Sequence, residues 1–278
     1  MPLAEVNGAR LYYELAGEGP AVAFVHHGIV DCRVWDPQWE VFAERYRTLR
    51  YDLRGFGRSS LPGGAYTDVD DLRALLRTVG IERTALVGAS MGSRVAFELA
   101  LTDPDRVAAL VIAPPGGYGA GESEEIQRYA EAEEQALEGG DVEAAVELNV
   151  DFWAAGPTRA LADVAPDVTR RVAEMQRQAF EIQLPADASE DPPQTERPFR
   201  EPLGDRLADV RSPTLVIVGD EDASVIRQTA DRIAAEVSGS EVAELHGTAH
   251  VPNLERPEEF NRHALAFLDR VLGPELAH

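Results

Sequence analysis

A serine between two glycines is the residue best suited to chemistry in this chain, and it lies in the stretch 88–92, GASMG. The stretch follows an apolar run at 84–87 and precedes a helical pattern at 94–100. A strand, a tight turn with a central serine and a helix form a nucleophile elbow, which projects the serine oxygen from the sheet edge. Larger side chains two residues before or after the serine would collide with a neighbouring strand or helix. We therefore interpret Ser90 as a nucleophile.

A nucleophilic serine needs a base that reaches its hydroxyl and is itself held by a third group. Among the six histidines, His250 lies in a predicted loop between the last strand and the last helix. A loop at the active edge of the sheet allows this contact, whereas the middle of a surface helix does not. We interpret His250 as the base.

Three acidic residues follow a predicted strand that ends at Gly219, and one of them could orient the imidazole. Asp222 is favoured over Asp220, because the chain must first turn before its carboxylate can face back across the sheet. Both remain open at this point, since Asp220 could bond the turn backbone and Asp222 could cap the next helix.

An oxyanion site requires two donors aimed at the developing negative charge. The backbone N–H of Met91, the residue after the serine, is one expected donor. The second is expected from the loop after the early apolar run, at Ile29, where the side-chain identity matters little.

Strand-like runs alternate with helical patterns along most of the chain and must position these groups. Continuous apolar runs are typical of strands buried on both faces, and they occupy 21–25, 107–113 and 215–218. A helical pattern runs from Val69 to Val79 and stops at Gly80. Such alternation predicts an α/β fold with a mostly parallel sheet covered on both faces.

The alternation stops between 116 and 204, where the pattern is helical and predicts no strand. Five prolines at 184–202 predict an irregular return loop. We interpret 116–204 as a helical cap insertion over the active edge, and 1–115 with 205–278 as the core. The ten acidic residues of 122–147 are interpreted as a solvated helix face, the alternative being a lid that repels anions.

Composition excludes several classes of function. A net charge of −23 argues against nucleic acid and anionic membranes, and no apolar run reaches the ~20 residues of a membrane span. The N-terminus lacks the features of a secretory signal, so a cytoplasmic protein is expected. The single cysteine, Cys32, excludes an internal disulfide and a thiolate metal cluster, and we interpret it as a thiol that takes no part in catalysis. No motif for a metal or nicotinamide is present, and no cofactor is expected.

With these features, the chain resembles the α/β-hydrolase superfamily. The resemblance rests on His27-Gly28, on the elbow, on the acid turn at 219–222, and on two further motifs. Residues 52–59, DLRGFGRS, resemble the family's D-x-R-G-x-G-x-S turn, and 250–255, HVPNLE, resemble its terminal H-x-P-x-x-E. The chain order Ser90, Asp222, His250 is the family order. The resemblance supports Asp222 over Asp220 as the acid. It implies an α/β-hydrolase fold, with a mostly parallel eight-stranded sheet flanked by helices and a helical cap.

These features predict a serine hydrolase that cleaves a small carboxylic ester or lactone through an acyl-enzyme. A serine rather than an aspartate at the elbow argues against dehalogenase and epoxide hydrolase chemistry. The alternative is a C–C bond (meta-cleavage product) or enol-lactone hydrolase, for which Arg33, Arg94 and Arg128 are candidate carboxylate partners. A cofactor-free perhydrolase and a non-catalytic ligand receptor are minor alternatives. The expected partner is the small-molecule substrate, and a homodimer is compatible with the sequence.

Overall fold

A computed structural model describes residues 2–118, 123–198 and 202–276 of the chain. Its strands are β1 (Leu3–Val6), β2 (Ala9–Ala16), β3 (Ala21–Val25), β4 (Arg47–Tyr51), β5 (Gly64–Tyr66), β6 (Thr84–Ser90), β7 (Val107–Pro115), β8 (Pro193–Thr195), β9 (Thr214–Gly219) and β10 (Glu241–Leu245). Its α-helices are α1 (Asp36–Ala43), α2 (Asp68–Thr78), α3 (Met91–Thr102), α4 (Glu124–Glu138), α5 (Val142–Asn149), α6 (Pro166–Asp187), α7 (Ser224–Glu236), α8 (Pro252–Glu255) and α9 (Pro257–Leu276).

Eight strands form one sheet in the order β1-β2-β4-β3-β6-β7-β9-β10. Pairs β1–β2 and β2–β4 are antiparallel, and every later pair in this order is parallel. The predicted fold class, an α/β-hydrolase fold with a mostly parallel eight-stranded sheet flanked by helices, is confirmed. In this arrangement the carboxyl ends of β3, β6, β7, β9 and β10 lie along one edge, and the chemistry-bearing loops leave from that edge.

The apolar runs divide between two cores because side chains alternate along a strand. In β3, Ala23 and Val25 pack into one core with α2, α3 and α7. Val22 and Phe24 point to the opposite face and pack with α1 and α9. Both faces of the central strands are therefore buried, as the continuous apolar runs predicted.

Between β7 and β9 the described residues form the α-helices α4, α5 and α6, and a π-helical segment, Val150–Ala155, directly follows α5. The prediction that this part of the chain has no strand is wrong. Strand β8 pairs in parallel with β5, from Gly64 with Pro193 to Tyr66 with Thr195. Its three residues have no apolar pattern, and its hydrogen-bond partner is far away in sequence, so no local signal marks it.

The predicted ends of two helices also differ from the structure. Helix α6 includes Pro185 and ends at Asp187, so the predicted return loop begins later than expected. Proline removes one backbone hydrogen bond, which costs less in the last turn, where the helix is about to end. Helix α9 continues past Gly273, which had been predicted to stop it. The limits of the predicted insertion, 116–204, remain a prediction, because 119–122 and 199–201 lie outside the described residues.

None of the helices formed by the described residues is both long enough and apolar enough to cross a bilayer.

Candidate active site

Ser90 ends β6 and lies directly before α3, in a backbone conformation that L-residues rarely adopt (φ 52°, ψ −112°). The two glycines of the elbow are sterically required. A Cβ on Gly88 would lie 2.5 Å from the carbonyl oxygen of Gly92, and one on Gly92 would lie 2.2 Å from that of Val25. The turn thus holds Ser90 at the carboxyl edge of the sheet with a strained backbone, as the elbow pattern predicted.

His250 follows β10 and contacts Asp222, which follows β9. The Nδ1 of His250 lies 2.8 Å from Oδ2 and 3.1 Å from Oδ1 of Asp222, and both residues are buried. A proton on Nδ1, donated to the carboxylate, leaves Nε2 as the nitrogen that accepts a proton. This Nε2 is buried and has no hydrogen-bond partner in the described part of the chain.

Asp220 makes different contacts, although it precedes Asp222 by two residues. Its carboxylate accepts hydrogen bonds from the His246 ring at 3.0 Å and from the backbone N–H of Gly247 at 2.6 Å. The bond to Asp220 raises the pKa of His246. Asp222 does not cap α7, whose N-cap residue is Ala223, and instead accepts a bond from the Ala223 N–H. The structure thus brings Asp222, and not Asp220, onto His250.

Ser90 and His250 line the same cavity, which has a volume of about 320 Å³. Among the described residues no hydrogen bond joins the Ser90 Oγ to the His250 ring, whose Nε2 has no partner. The remaining lining comes from the β3 loop, the elbow and the cap region: Gly28, Ile29, Met91, Tyr129, Glu133, Asn149, Trp153, Gln176, Phe180 and Gln183.

The two residues predicted as oxyanion donors both lie at this cavity. Met91 is the first residue of α3, so its backbone N–H has no acceptor within the helix. Ile29 lies four residues after the end of β3 and lines the same cavity as Ser90. The two expected oxyanion donors therefore lie at the cavity that also holds the Ser90 side chain and the His250 ring.

The loop of His250 is held from two sides. Its backbone N–H donates to the carbonyl of Trp153 at 3.1 Å, and the two rings lie 4.4 Å apart, centre to centre. On the other side, Nε2 of the fully buried His27 donates to the His250 carbonyl at 2.9 Å. Burial and the neighbouring histidine His250 lower the pKa of His27 well below its usual range, so this ring stays neutral.

An ion pair between Arg159 and Glu255 joins the segment after the π-helix to the same loop. The Arg159 guanidinium binds Oε2 of Glu255 at 2.8 Å and the carbonyl of Gly247 at 2.6 Å, and it also bonds the carbonyls of Ala154 and Ala155. The other oxygen of Glu255 accepts the N–H of Ala249 at 2.8 Å. Glu255, the acid of the HVPNLE motif, thus links Arg159 and the π-helical segment to the loop of His250.

The polar side of the cavity was not identified from the sequence. Tyr129, Glu133, Asn149, Gln176 and Gln183 come from α4, α5 and α6. The acidic run of α4 was interpreted as a solvated face, which describes its exposed acids but not Glu133. A usable signal existed, because Asn149 and Gln176 interrupt apolar stripes at helical spacing, and a polar residue there must find a partner or line a cavity.

Two acidic clusters have donor atoms close enough together to be considered as metal sites: Asp31, Cys32 and Asp52, and Asp220, Glu244 and His246. In the first cluster, both carboxylates already accept hydrogen bonds from protein donors. Asp52 accepts the N–H groups of Cys32 and Arg58, and Asp31 binds the Arg33 side chain. Burial raises the pKa of the Cys32 thiol, so the thiol stays protonated, and a protonated thiol is a weak nucleophile and a poor metal ligand.

Known proteins resemble this chain over nearly its whole length. The protein named "Putative carbamate hydrolase RutD" of Azorhizobium caulinodans is 27% identical over 281 residues, which cover 98% of this chain and 99% of that protein. The structure of Est816, described as an N-acyl homoserine lactone degrading enzyme, is 26% identical with a TM-score of 0.74, and covers 96% of this chain and 100% of that one. A thermophilic esterase from Thermogutta terrifontis is 26% identical with a TM-score of 0.74, covering 95% and 94%.

The sequence model of the α/β hydrolase family matches residues 22–263. That range includes the elbow, the acid turn and the His250 loop. It covers most of the chain, and the sheet order and the similar structures agree with it. The chain therefore belongs to the α/β hydrolase family.

Proposed function

We propose that this α/β hydrolase cleaves small carboxylic esters or lactones through an acyl-enzyme on Ser90. The observation that carries the proposal is the unpaired, buried Nε2 of His250, which faces the same cavity as Ser90 while Nδ1 is held by Asp222. A nucleophile, a base and an orienting acid are the three parts that acyl transfer needs.

In the first half-reaction, Nε2 of His250 takes the proton of the Ser90 hydroxyl as Oγ attacks the carbonyl carbon. The backbone N–H groups of Met91 and Ile29 donate to the oxygen that becomes negatively charged. His250 then gives its proton to the leaving alcohol oxygen, and the bond to the alcohol breaks. Asp222 keeps the imidazole oriented and stabilises its positive charge in between.

In the second half-reaction, a water molecule replaces the alcohol. His250 removes its proton, the hydroxide oxygen attacks the acyl carbon, and Ser90 leaves with the proton returned by His250. The products are a carboxylic acid and the free enzyme. A lactone follows the same path, except that the alcohol and the acid remain in one molecule.

The substrate class agrees with similar proteins, among which are a lactone degrading enzyme and an esterase of 26% identity. The C–C bond alternative has less support, because it relies on an arginine for the substrate carboxylate. In the described part of the chain no arginine lines the cavity of Ser90. Arg33 pairs with Asp31, and Arg94 pairs with Asp68 and Glu98.

The proposal is tested by turnover of p-nitrophenyl acetate and butyrate, a panel of lactones and a vinylogous diketone, together with labelling by an alkyl fluorophosphonate. We expect ester or lactone turnover, and a mass increase on the peptide that contains Ser90. Because Ser93 lies on the same peptide, Ser93→Ala is the matched control: the label should persist in Ser93→Ala and disappear in Ser90→Ala. Turnover of the diketone alone, or a label on any residue but Ser90, would contradict the proposal.

A further inference from the structure

The residues from α4, α5 and α6 that line the Ser90 cavity include several hydrogen-bond acceptors. Glu133 on α4 lines the cavity, and its Oε1 accepts a hydrogen bond from the Asn149 amide. The same oxygen lies 3.1 Å from the Tyr129 hydroxyl, whose single proton it shares with Asn149 Oδ1 at 2.7 Å. Among the described residues, no group bonds its second oxygen, Oε2, and no arginine forms an ion pair with it. The half-buried Glu133 carboxyl is thus oriented by neutral groups and has no ion-pair partner among the described residues.

A second acceptor without a partner lines the same cavity. The side chain of Gln176 on α6 is almost fully buried, with 3% of the residue exposed. Its Oε1 is buried and has no hydrogen-bond partner in the described part of the chain. Buried polar atoms in native proteins are generally satisfied, so the missing donor is expected to arrive with a ligand.

The remaining lining favours a positively charged group. Tyr129, Trp153 and Phe180 line the cavity, and aromatic rings attract cations. Apart from His250, no side chain of the described lining can carry a positive charge. A protonated amine has N–H donors for the acceptors, a charge that complements Glu133, and affinity for the rings.

We propose that the cavity selects esters or lactones that carry a protonated amino group, with Glu133 as its charge partner and Gln176 as its second acceptor. The proposal rests on the proposed function, since it names the substrate class of that same site. Under this proposal Glu133 has a role in binding that the other acidic residues of α4 do not have. The other acids of that helix are exposed, apart from Glu125, which accepts hydrogen bonds from Ser224, whereas Glu133 lines the cavity.

The test compares pairs of esters that differ only by a charged nitrogen. On the alcohol side, 2-(dimethylamino)ethyl acetate is compared with 3-methylbutyl acetate. On the acyl side, methyl 4-(dimethylamino)butanoate is compared with methyl 5-methylhexanoate. Within each pair, shape is conserved and only the ammonium N–H is replaced by C–H. Acid release at pH 7 is followed by titration, and kcat/KM is determined for each ester.

We expect kcat/KM for the ammonium ester to exceed that of its neutral partner by about tenfold in at least one pair, which corresponds to ~1.4 kcal/mol. In Glu133→Gln this ratio should fall close to one, because the amide still accepts from Asn149 but carries no charge. Glu134→Gln is the matched control: it removes the same charge from the adjacent, exposed position of α4 and should leave the ratio unchanged.

Binding to Ser90→Ala, measured by calorimetry, separates this proposal from the proposed function. We expect the ammonium ester to bind more tightly than its neutral partner, and the difference to disappear in Ser90→Ala/Glu133→Gln. Equal turnover within both pairs would overturn selection of the ammonium while leaving ester hydrolysis intact. If no ester is hydrolysed, the proposed function fails, and equal or absent binding of both esters then overturns this inference as well.

Discussion

The Nδ1 of His250 lies 2.8 Å from Oδ2 of Asp222, and the two groups come from loops that follow neighbouring strands, β10 and β9. Both side chains are almost fully buried, with 2% of each exposed. In such surroundings a hydrogen bond to a carboxylate is strong, and it fixes the orientation of the ring that donates it. The pair therefore decides which imidazole nitrogen is free to act on Ser90.

Replacing Asp222 by asparagine should lower kcat for ester hydrolysis by about 10³–10⁴-fold, because the amide cannot stabilise the imidazolium and favours the wrong tautomer. Asp220→Asn is the matched control, since its carboxylate contacts His246 and Gly247 rather than His250. It should leave kcat within about twofold. Steady-state kinetics of the two variants, with circular dichroism to verify folding, make the comparison. A larger loss in Asp220→Asn would refute the assignment of the acid.

The elbow glycines provide a prediction for stability. Gly92→Ala places a Cβ 2.2 Å from the Val25 carbonyl oxygen, where backbone on both sides must move. Gly28→Ala, on the opposite side of the site, places its Cβ 3.7 Å from the nearest atom, in the flexible Met91 side chain. We expect the first to lower the free energy of unfolding by about 3 kcal/mol or more and the second by less than about 1 kcal/mol. Urea denaturation of both variants measures this, and equal losses would show that the elbow can relax.

The elbow could be predicted from sequence because its requirements are local. Two glycines, a serine and the flanking strand and helix lie within one short stretch, and the steric reason for each can be read from its spacing. The sheet was predictable for a similar reason, since continuous apolar runs such as that of β3 indicate burial on both faces. Family resemblance added the strand count and supported Asp222.

Other features could not be predicted because they depend on contacts between distant segments. The direction of the chain after Gly219 decides whether Asp220 or Asp222 reaches His250, and residue types alone left both open. Strand β8 forms only because β5, far away in sequence, offers its edge. The orientation of Glu133 towards the cavity depends on how α4 packs on α5, which an acidic helix pattern does not reveal.

The ion pair between Arg159 and Glu255 should stabilise the fold more than the exposed pairs of the cap. Its side chains are only 11% and 8% exposed, against 62% and 51% for Arg170 and Glu174. Arg159→Met leaves Glu255 buried without its partner and should cost about 3 kcal/mol of unfolding free energy. Arg170→Met, the matched control, should change it by less than about 0.5 kcal/mol. Chemical denaturation at pH 7 measures the unfolding free energies of the two variants. Similar losses in both would show that the Arg159–Glu255 pair stabilises the fold no more than an exposed pair.

The buried ring of His27 should make stability depend on pH. Because burial holds its pKa well below the usual ~6.5, the unfolded chain takes up a proton before the folded protein does as the pH falls. This group therefore costs the wild type ~1 kcal/mol of stability between pH 6.5 and 5.5. His27→Gln can still donate to the His250 carbonyl but does not titrate. Its stability relative to wild type should therefore rise by that amount over the same interval.

The exposed His246 supplies a control of opposite sign. The hydrogen bond to Asp220 raises its pKa in the folded state, so its contribution is present at low pH and is lost as the pH rises through the folded value. His246→Gln should therefore lose stability relative to wild type as the pH falls. Urea denaturation of the three proteins at pH 6.5, 6.0 and 5.5 measures both trends. A pH-independent difference between His27→Gln and wild type would mean that His27 titrates alike in the folded and unfolded chains.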